Sequence, residues 1–390
     1  MVKPFQFARF PDIYFKNGKL SDLSGFIKKY GNTIILVTGK KSFIQSDQAI
    51  NLFDSFKKSG IKYHHIIVIG EPSPELIDES VLKLNDQPIQ LVVGIGGGSV
   101  IDAGKAISAM MFKTGSVKDY LEGVGTKEHP GTKLPFIAVP TTSGTGSEAT
   151  KNAVISHIGI NGFKKSLRHD NLVPDIAIID PELTLNCPKD ITAASGMDCF
   201  TQLTEAYLSD KSSPFTDALA LEGLKAVKSS LVKSFTDGHD ITARAGMSFA
   251  ALTSGICLAN AGLGVVHGFA SSIGGMYSVP HGLVCGTLMS SANEINVREL
   301  RKKDPAAVAL KKYSLLGKLF LDEEGKSDDY FIDGFIQYLK KLTFELQLPG
   351  LKDFGLREKD SELICSITEN KNNPVKLTME NLMEILIKRI

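Results

Sequence analysis

Two rhythms of apolar and polar positions divide this chain. In the first half, short apolar runs alternate with helix-period stretches. Thr33–Thr38 (TIILVT) predicts a buried strand, followed by a helix that ends near Ser59-Gly60. Tyr63–Ile69 reads as a strand, Glu75–Asn85 as a helix, and Gln90–Ile95 as a strand running into Gly96-Gly97-Gly98, with a helix from Val100. Phe136–Val139, Ala153–Ser156 and Asp175–Ile179 are further strands. Strand and helix in alternation imply a mostly parallel sheet with helices on both faces. After Pro181 strand-like alternation stops. Helical periodicity runs through Asp190–Leu208, Pro214–Lys233, Ala243–Asn260, Val265–Met276, Gly282–Asn296, Ala306–Phe320, Phe331–Leu346 and Thr378–Lys388. The pattern predicts an α/β dinucleotide-binding domain over 1–187 and an all-helical domain over 188–390. Lys113–Lys133, rich in Gly, Thr and charge, reads as a surface excursion from the first.

Inside the helical half, Ala245 to Asn293 contains no Asp, Glu, Lys or Arg, although 22% of the chain is charged. Ala245–Val266 is long enough to span a bilayer. It contains Ser248, Thr253, Ser254, Asn260 and four glycines, and no Trp or Tyr flanks it, so it reads as a buried helix of a soluble domain. The run holds His267 and His281. A buried imidazole nitrogen without a partner costs roughly 1–3 kcal/mol, so both need partners. Upstream, Asp198 and Gln202 are four apart and share a helix face. One carboxylate, one amide and two imidazoles make a candidate metal-ligand set. Taken singly, each could instead be a satisfied core residue.

A chain of 390 residues exceeds one hydrophobic core, which fits two domains. A net charge of +1, with both signs well mixed, gives no footprint for nucleic acid or an anionic membrane. No secretion signal is predicted at the start, and the five cysteines include no Cys-x-x-Cys. Free thiols in a reducing cytoplasm are expected. No cysteine has an evident histidine base beside it, which argues against a cysteine nucleophile.

QLVVGIGGGSVIDAGKAI places glycines where a strand becomes a helix, so backbone N–H groups can hold a phosphate. Ser99 and Asp102 also fit a helix-capping pair. A second loop of small hydroxyl residues, PTTSGTGSEAT, follows the next strand. Both loops lie at strand C-termini, where open α/β sheets bind ligands.

VGIGGGSVIDAGKA, PTTSGTGSEAT, IIDPELTLNCP, GMDCFTQLTEAY, GLGVVHGFA and VPHGLVCG occur in this order. The series resembles that of the iron-containing (group III) alcohol dehydrogenases, whose fold is shared with dehydroquinate synthase. The resemblance covers essentially the whole chain. It implies hydride transfer between a nicotinamide cofactor and a small alcohol or aldehyde. It also implies Gly97, Gly98, Ser99 and Asp102 near the pyrophosphate, Thr141 and Thr142 near the nicotinamide, and Lys164 near the cofactor ribose. Asp198, His267 and His281 would carry catalysis by holding Fe2+ or Zn2+. A homodimer is expected.

The chain departs from the family at two places. Gln202 stands where the family has a ligating histidine, and either ligates weakly or hydrogen-bonds a neighbour. Ser271 stands where many members have a histidine thought to relay protons. After the first strand, Gly39 replaces the aspartate that NAD-preferring relatives often carry, with Lys40, Lys41 and Ser42 following. That exchange favours NADP(H) over NAD(H). Alternatives on the same fold are a metal-independent reductase of the maleylacetate type and a lyase of the dehydroquinate synthase type.

Overall fold

Short apolar and β-branched runs build the sheet of the first half. The computed structural model describes residues 4–159 and 162–390. In chain order the strands are β1 (Asp12–Phe15), β2 (Thr33–Gly39), β3 (Lys62–Val68), β4 (Leu91–Gly96), β5 (Phe136–Pro140), β6 (Asn152–His157), β7 (Phe163–Arg168) and β8 (Ile176–Ile179). All but β6 and β7 form one parallel sheet, in the order β1-β8-β5-β4-β2-β3. Alternate side chains of β2 serve opposite faces. Ile34 and Leu36 pack with α1 (Leu23–Lys28) and α2 (Asp47–Lys58). Ile35 and Val37 pack with α3 (Pro74–Leu84) and α4 (Gly98–Met110).

Two strands escape the sequence pattern. β1 is a short edge strand, and β7 (FKKSLR) is too polar to read as one. β6 therefore does not join the parallel sheet. It pairs antiparallel with β7 as a separate hairpin, because so short a connection cannot make a parallel crossover.

The second half is helical: α5 (Lys189–Leu208), α6 (Pro214–Thr236), α7 (Ile241–Ala261), α8 (Val265–Met276), α9 (His281–Lys303), α10 (Val308–Leu321), α11 (Asp328–Glu345), α12 (Ser361–Ser366) and α13 (Met379–Ile387). Only the short α12 lacks a sequence signal. By length and composition α7 could cross a membrane, but 67% of its apolar window lies buried inside the protein. α5 is the axis of this half and packs against α6, α7 and α9. Every residue from Gly196 to Leu208 is buried, polar ones included.

The contact between α5 and α9 depends on missing side chains. A methyl at Gly282 would lie 2.4 Å from the Ala194 carbonyl oxygen, and one at Gly286 would lie 2.7 Å from Met197 Cβ. Gly282→Ala must therefore push α9 away from α5. The expected cost is about 1–3 kcal/mol, read as a lower denaturant midpoint. Gly25→Ala, where a methyl meets open space, should leave the midpoint unchanged or raise it.

Candidate active site

β2 leads through α2 to β3 on one side, and β4 leads through α4 to β5 on the other. The C-terminal ends of β2 and β4 therefore border a switch point, the place where open α/β sheets bind ligands. Three small-residue loops meet there. Thr38 of β2 pairs with Ile95 of β4, and Gly96 pairs with Pro140 of β5. The Thr141 N–H donates to the Gly96 carbonyl at 2.9 Å. Gly97 is the N-cap of α4 and makes no side-chain cap bond, which leaves the first-turn N–H groups for an anion. The threonine loop walls this turn: a methyl at Gly98 would lie 2.7 Å from Thr145, and one at Gly97 would lie 3.3 Å from Thr142. Gly97, Gly98, Ser99 and Thr142 are half-buried, and Thr141 is buried. At the end of β2, Gly39 is half-buried, and Lys40, Lys41 and Ser42 are exposed.

Asp102 does not cap α4, which starts too early for that. Its carboxylate accepts from the Ser147 hydroxyl and, at 3.1 Å, from the Val154 N–H. It thus joins α4 to the threonine loop and to β6. Beside it lies Lys105, which the sequence reading passed over. Its fully buried ammonium donates to the carbonyls of Ser147, Thr150 and Asn152 at 2.8, 3.0 and 2.7 Å. Three donors meet three carbonyls, and the far end of the loop is pinned. The three-residue spacing of Asp102 and Lys105 in an otherwise apolar helix was the available signal. Burial lowers Lys105 to about 8, against the pull of Asp102 and Glu148. Burial raises the neighbouring Glu148 to about 7.

In the helical half, α5 presents Asp198, Gln202 and Glu205 at i, i+4 and i+7, a single stripe. α8 supplies His267, and α9 opens with His281. His267 Nδ1 lies 2.7 Å from Glu205 Oε2, and its Nε2 lies 3.3 Å from Asp198 Oδ1. His281 Nε2 lies 3.8 Å from the same oxygen. Glu205, unremarked in the sequence, fixes the ring by accepting the Nδ1 proton. Nε2 then faces a carboxylate and a second imidazole. Three acceptors around one space need a cation, so the set fits a metal. His281 Nδ1 is buried without a partner among the described residues.

The electrostatics agree. Burial would raise Asp198, but His281 and His267 outweigh it and hold the carboxyl at about 2. Burial lowers His281 to about 4, more than Asp198 can offset. Burial would also lower His267, yet Cys285, Asp198 and Glu205 together keep it well above its ordinary value.

Gln202 makes the hydrogen bond expected of one of its two roles. Its amide nitrogen donates to the Thr145 carbonyl at 3.2 Å, and its oxygen lies 3.4 Å from the Ser254 hydroxyl, which donates to the Ala251 carbonyl at 2.8 Å. It ties the threonine loop to the helical half. Cys285 fills the remaining side instead, 3.5 Å from His267 Nε2 and 3.8 Å from His281 Nε2. A cysteine with histidine neighbours therefore does exist, four residues after His281 on α9. The Ser271 hydroxyl donates to the His267 carbonyl at 2.9 Å and accepts from Lys371 at 3.3 Å. Lys164, on β7, pairs with Glu71, which also accepts from Ser156. Lys164 also packs beside Gly274 of α8, which brings the hairpin to the helical half.

The chain matches two family models, one for each half. The family model for the iron-containing alcohol dehydrogenase matches residues 11–181, and that for the Fe-containing alcohol dehydrogenase family, C-terminal, matches residues 192–390. The chain belongs to the iron-containing alcohol dehydrogenase family. It is 31% identical to alcohol dehydrogenase 4 of Saccharomyces cerevisiae over 97% of this chain and 96% of that one. Among solved structures, the alcohol dehydrogenase from Oenococcus oeni is 30% identical, with a TM-score of 0.88 over 99% of this chain and 100% of that one. A 1,3-propanediol oxidoreductase is 26% identical, with a TM-score of 0.88 over 100% of both chains.

The buried Glu148 yields a pH dependence. Unfolded, it ionises near 4.5; folded, it keeps its proton up to about 7. Between those values the folded state binds more protons, so this group's stabilisation is lost as pH rises through that window. The loss is about 3 kcal/mol at most. Stability of wild type relative to Glu148→Gln should fall from pH 5 to pH 8, measured by urea unfolding. A constant difference between the two proteins would refute this.

Proposed function

We propose that this chain is a metal-dependent alcohol dehydrogenase, or aldehyde reductase in the reverse direction, that uses a nicotinamide cofactor and prefers NADP(H). One observation carries the reading. Asp198, His267 and His281 converge in the helical half, one hydrogen-bonded residue (Gln202) away from the threonine loop. When bound, a divalent ion, Fe2+ or Zn2+, supplies Lewis acidity toward a substrate oxygen.

The chain's own residues do the rest. Glu205 holds the His267 ring in the tautomer that leaves Nε2 free. The uncapped start of α4 receives the pyrophosphate at Gly97, Gly98 and Ser99. Thr141 and Thr142 face the nicotinamide end. Asp102 and Lys105 keep that loop in place from behind rather than touching the cofactor. Lys164, half neutralised by Glu71, serves the ribose. Gln202 keeps the loop against α5, which holds the cofactor and substrate sides in register. A small alcohol or aldehyde is the substrate class, as the names of the relatives suggest.

Removing metal with a chelator should abolish nicotinamide turnover, and Zn2+ or Fe2+ should restore it. His267→Ala should lose both bound metal, by elemental analysis, and turnover. Activity that survives metal removal would sink the metal-dependent reading in favour of a metal-independent reductase.

Cofactor choice follows from the end of β2. A methyl at Gly39 has only Val100, at 3.9 Å, for a neighbour, so a longer side chain fits without repacking. Gly39→Asp places a carboxylate where it bonds a ribose hydroxyl and repels a 2′-phosphate. The ratio of kcat/KM for NADP(H) over NAD(H) should exceed one in the wild type and fall at least tenfold in the variant. A wild-type preference for NAD(H) would overturn the assignment.

A further inference from the structure

The site assembled above has three protein ligands and one gap. Gln202 is held toward the threonine loop by its amide nitrogen, which donates to the Thr145 carbonyl, and a neutral amide oxygen is a poorer metal ligand than a thiolate. Cys285 points at the gap. We propose that Cys285 is the fourth metal ligand, through a thiolate that takes over the position vacated by the histidine-to-glutamine exchange at 202. The inference rests on the metal-dependent reading.

The spacing carries the argument. With metal–sulfur bonds of about 2.3 Å and metal–nitrogen or –oxygen bonds of about 2.0–2.1 Å, a tetrahedral ion sets its sulfur–nitrogen edges near 3.6 Å. Its nitrogen–oxygen edges are near 3.3 Å by the same geometry. Cys285 Sγ stands 3.5 and 3.8 Å from the two Nε2 atoms. Those nitrogens stand 3.3 and 3.8 Å from Asp198 Oδ1. All four candidate ligand atoms lie within 4.8 Å of one another. Four of the six edges of the set thus lie within about 0.5 Å of those of a coordination tetrahedron.

The backbone explains why. His281 and Cys285 are one turn apart on α9, so they share a face. Gly282 and Gly286, each next to one of them, let that face approach α5 within contact of Ala194, Met197 and Asp198. Cys285 is fully buried and belongs to no disulfide. On binding, the thiol releases its proton to solvent as the metal–sulfur bond forms. A thiolate among imidazoles and a carboxylate is a softer set than one aspartate with three histidines, which moves the preference from iron(II) toward zinc.

Cobalt(II) is the probe. Metal-free protein titrated with Co2+ should show thiolate-to-cobalt charge-transfer absorption in the near ultraviolet, with a one-to-one end point. Cys285→Ser should lose that band and bind Co2+ at least tenfold more weakly, the lower limit seen even for residues beyond the ligands. Gln202→His in the Cys285→Ser background should regain affinity without regaining the band. Co2+ bound by wild type with no thiolate band, or with unchanged affinity in Cys285→Ser, overturns the assignment and leaves the metal-dependent reading in place. If wild type binds no Co2+ at all, both fall. Circular dichroism of Cys285→Ser separates ligand loss from unfolding.

Discussion

Burying Asp198 in the middle of α5 is the constraint on which the rest of the site depends. A carboxylate inside a helical core is costly unless positive charge or hydrogen bonds surround it. Here the compensation comes from two other helices. His267 reaches it from α8 and His281 from the first position of α9, while Glu205 turns the His267 ring so that the useful nitrogen faces inward. Removing any one of these would leave the others as unmatched charge or unmatched acceptors. The set therefore stands or falls together, whether a proton or a metal occupies its centre.

The helical half achieves this by bringing backbones close. Gly282 and Gly286 let α9 lie directly on α5. The long uncharged stretch supplies α7, α8 and the start of α9, which bury Asp198, His267 and Cys285 and leave His281 partly exposed. A low-polarity shell strengthens every interaction among the four side chains. It also explains why burial dominates the behaviour of His281 and Cys285.

The two halves are joined by the same residues that organise them. Gln202 holds the threonine loop to the helical half, and Lys105 holds its far end to α4. The threonine loop is thus fixed at both ends by buried polar groups. Lys164 and Glu71 add a second link, from the hairpin to the cleft. The Gln202 amide acts as a tether to the threonine loop, and Cys285 of α9 faces His267 and His281.

Periodicity and motif order, read from the chain alone, determined the class of fold, the change from sheet to helices, and the candidate set Asp198, His267 and His281, which the fold brings together. These are properties of local pattern: apolar spacing selects the element, and glycine or proline at its end marks where it stops. The sequence could not place β6, because its partner β7 is polar and its antiparallel pairing is a matter of connection length. Asp102 looked like a helix cap because its spacing from Ser99 suits one; only the early start of α4 turns it inward. Glu205 and Cys285 each lie on a predicted helix, at i+7 from Asp198 and i+4 from His281. Their faces could be inferred, but whether those faces meet could not. That depends on how closely α5, α8 and α9 approach, which is set by long-range packing across glycines far apart in the chain.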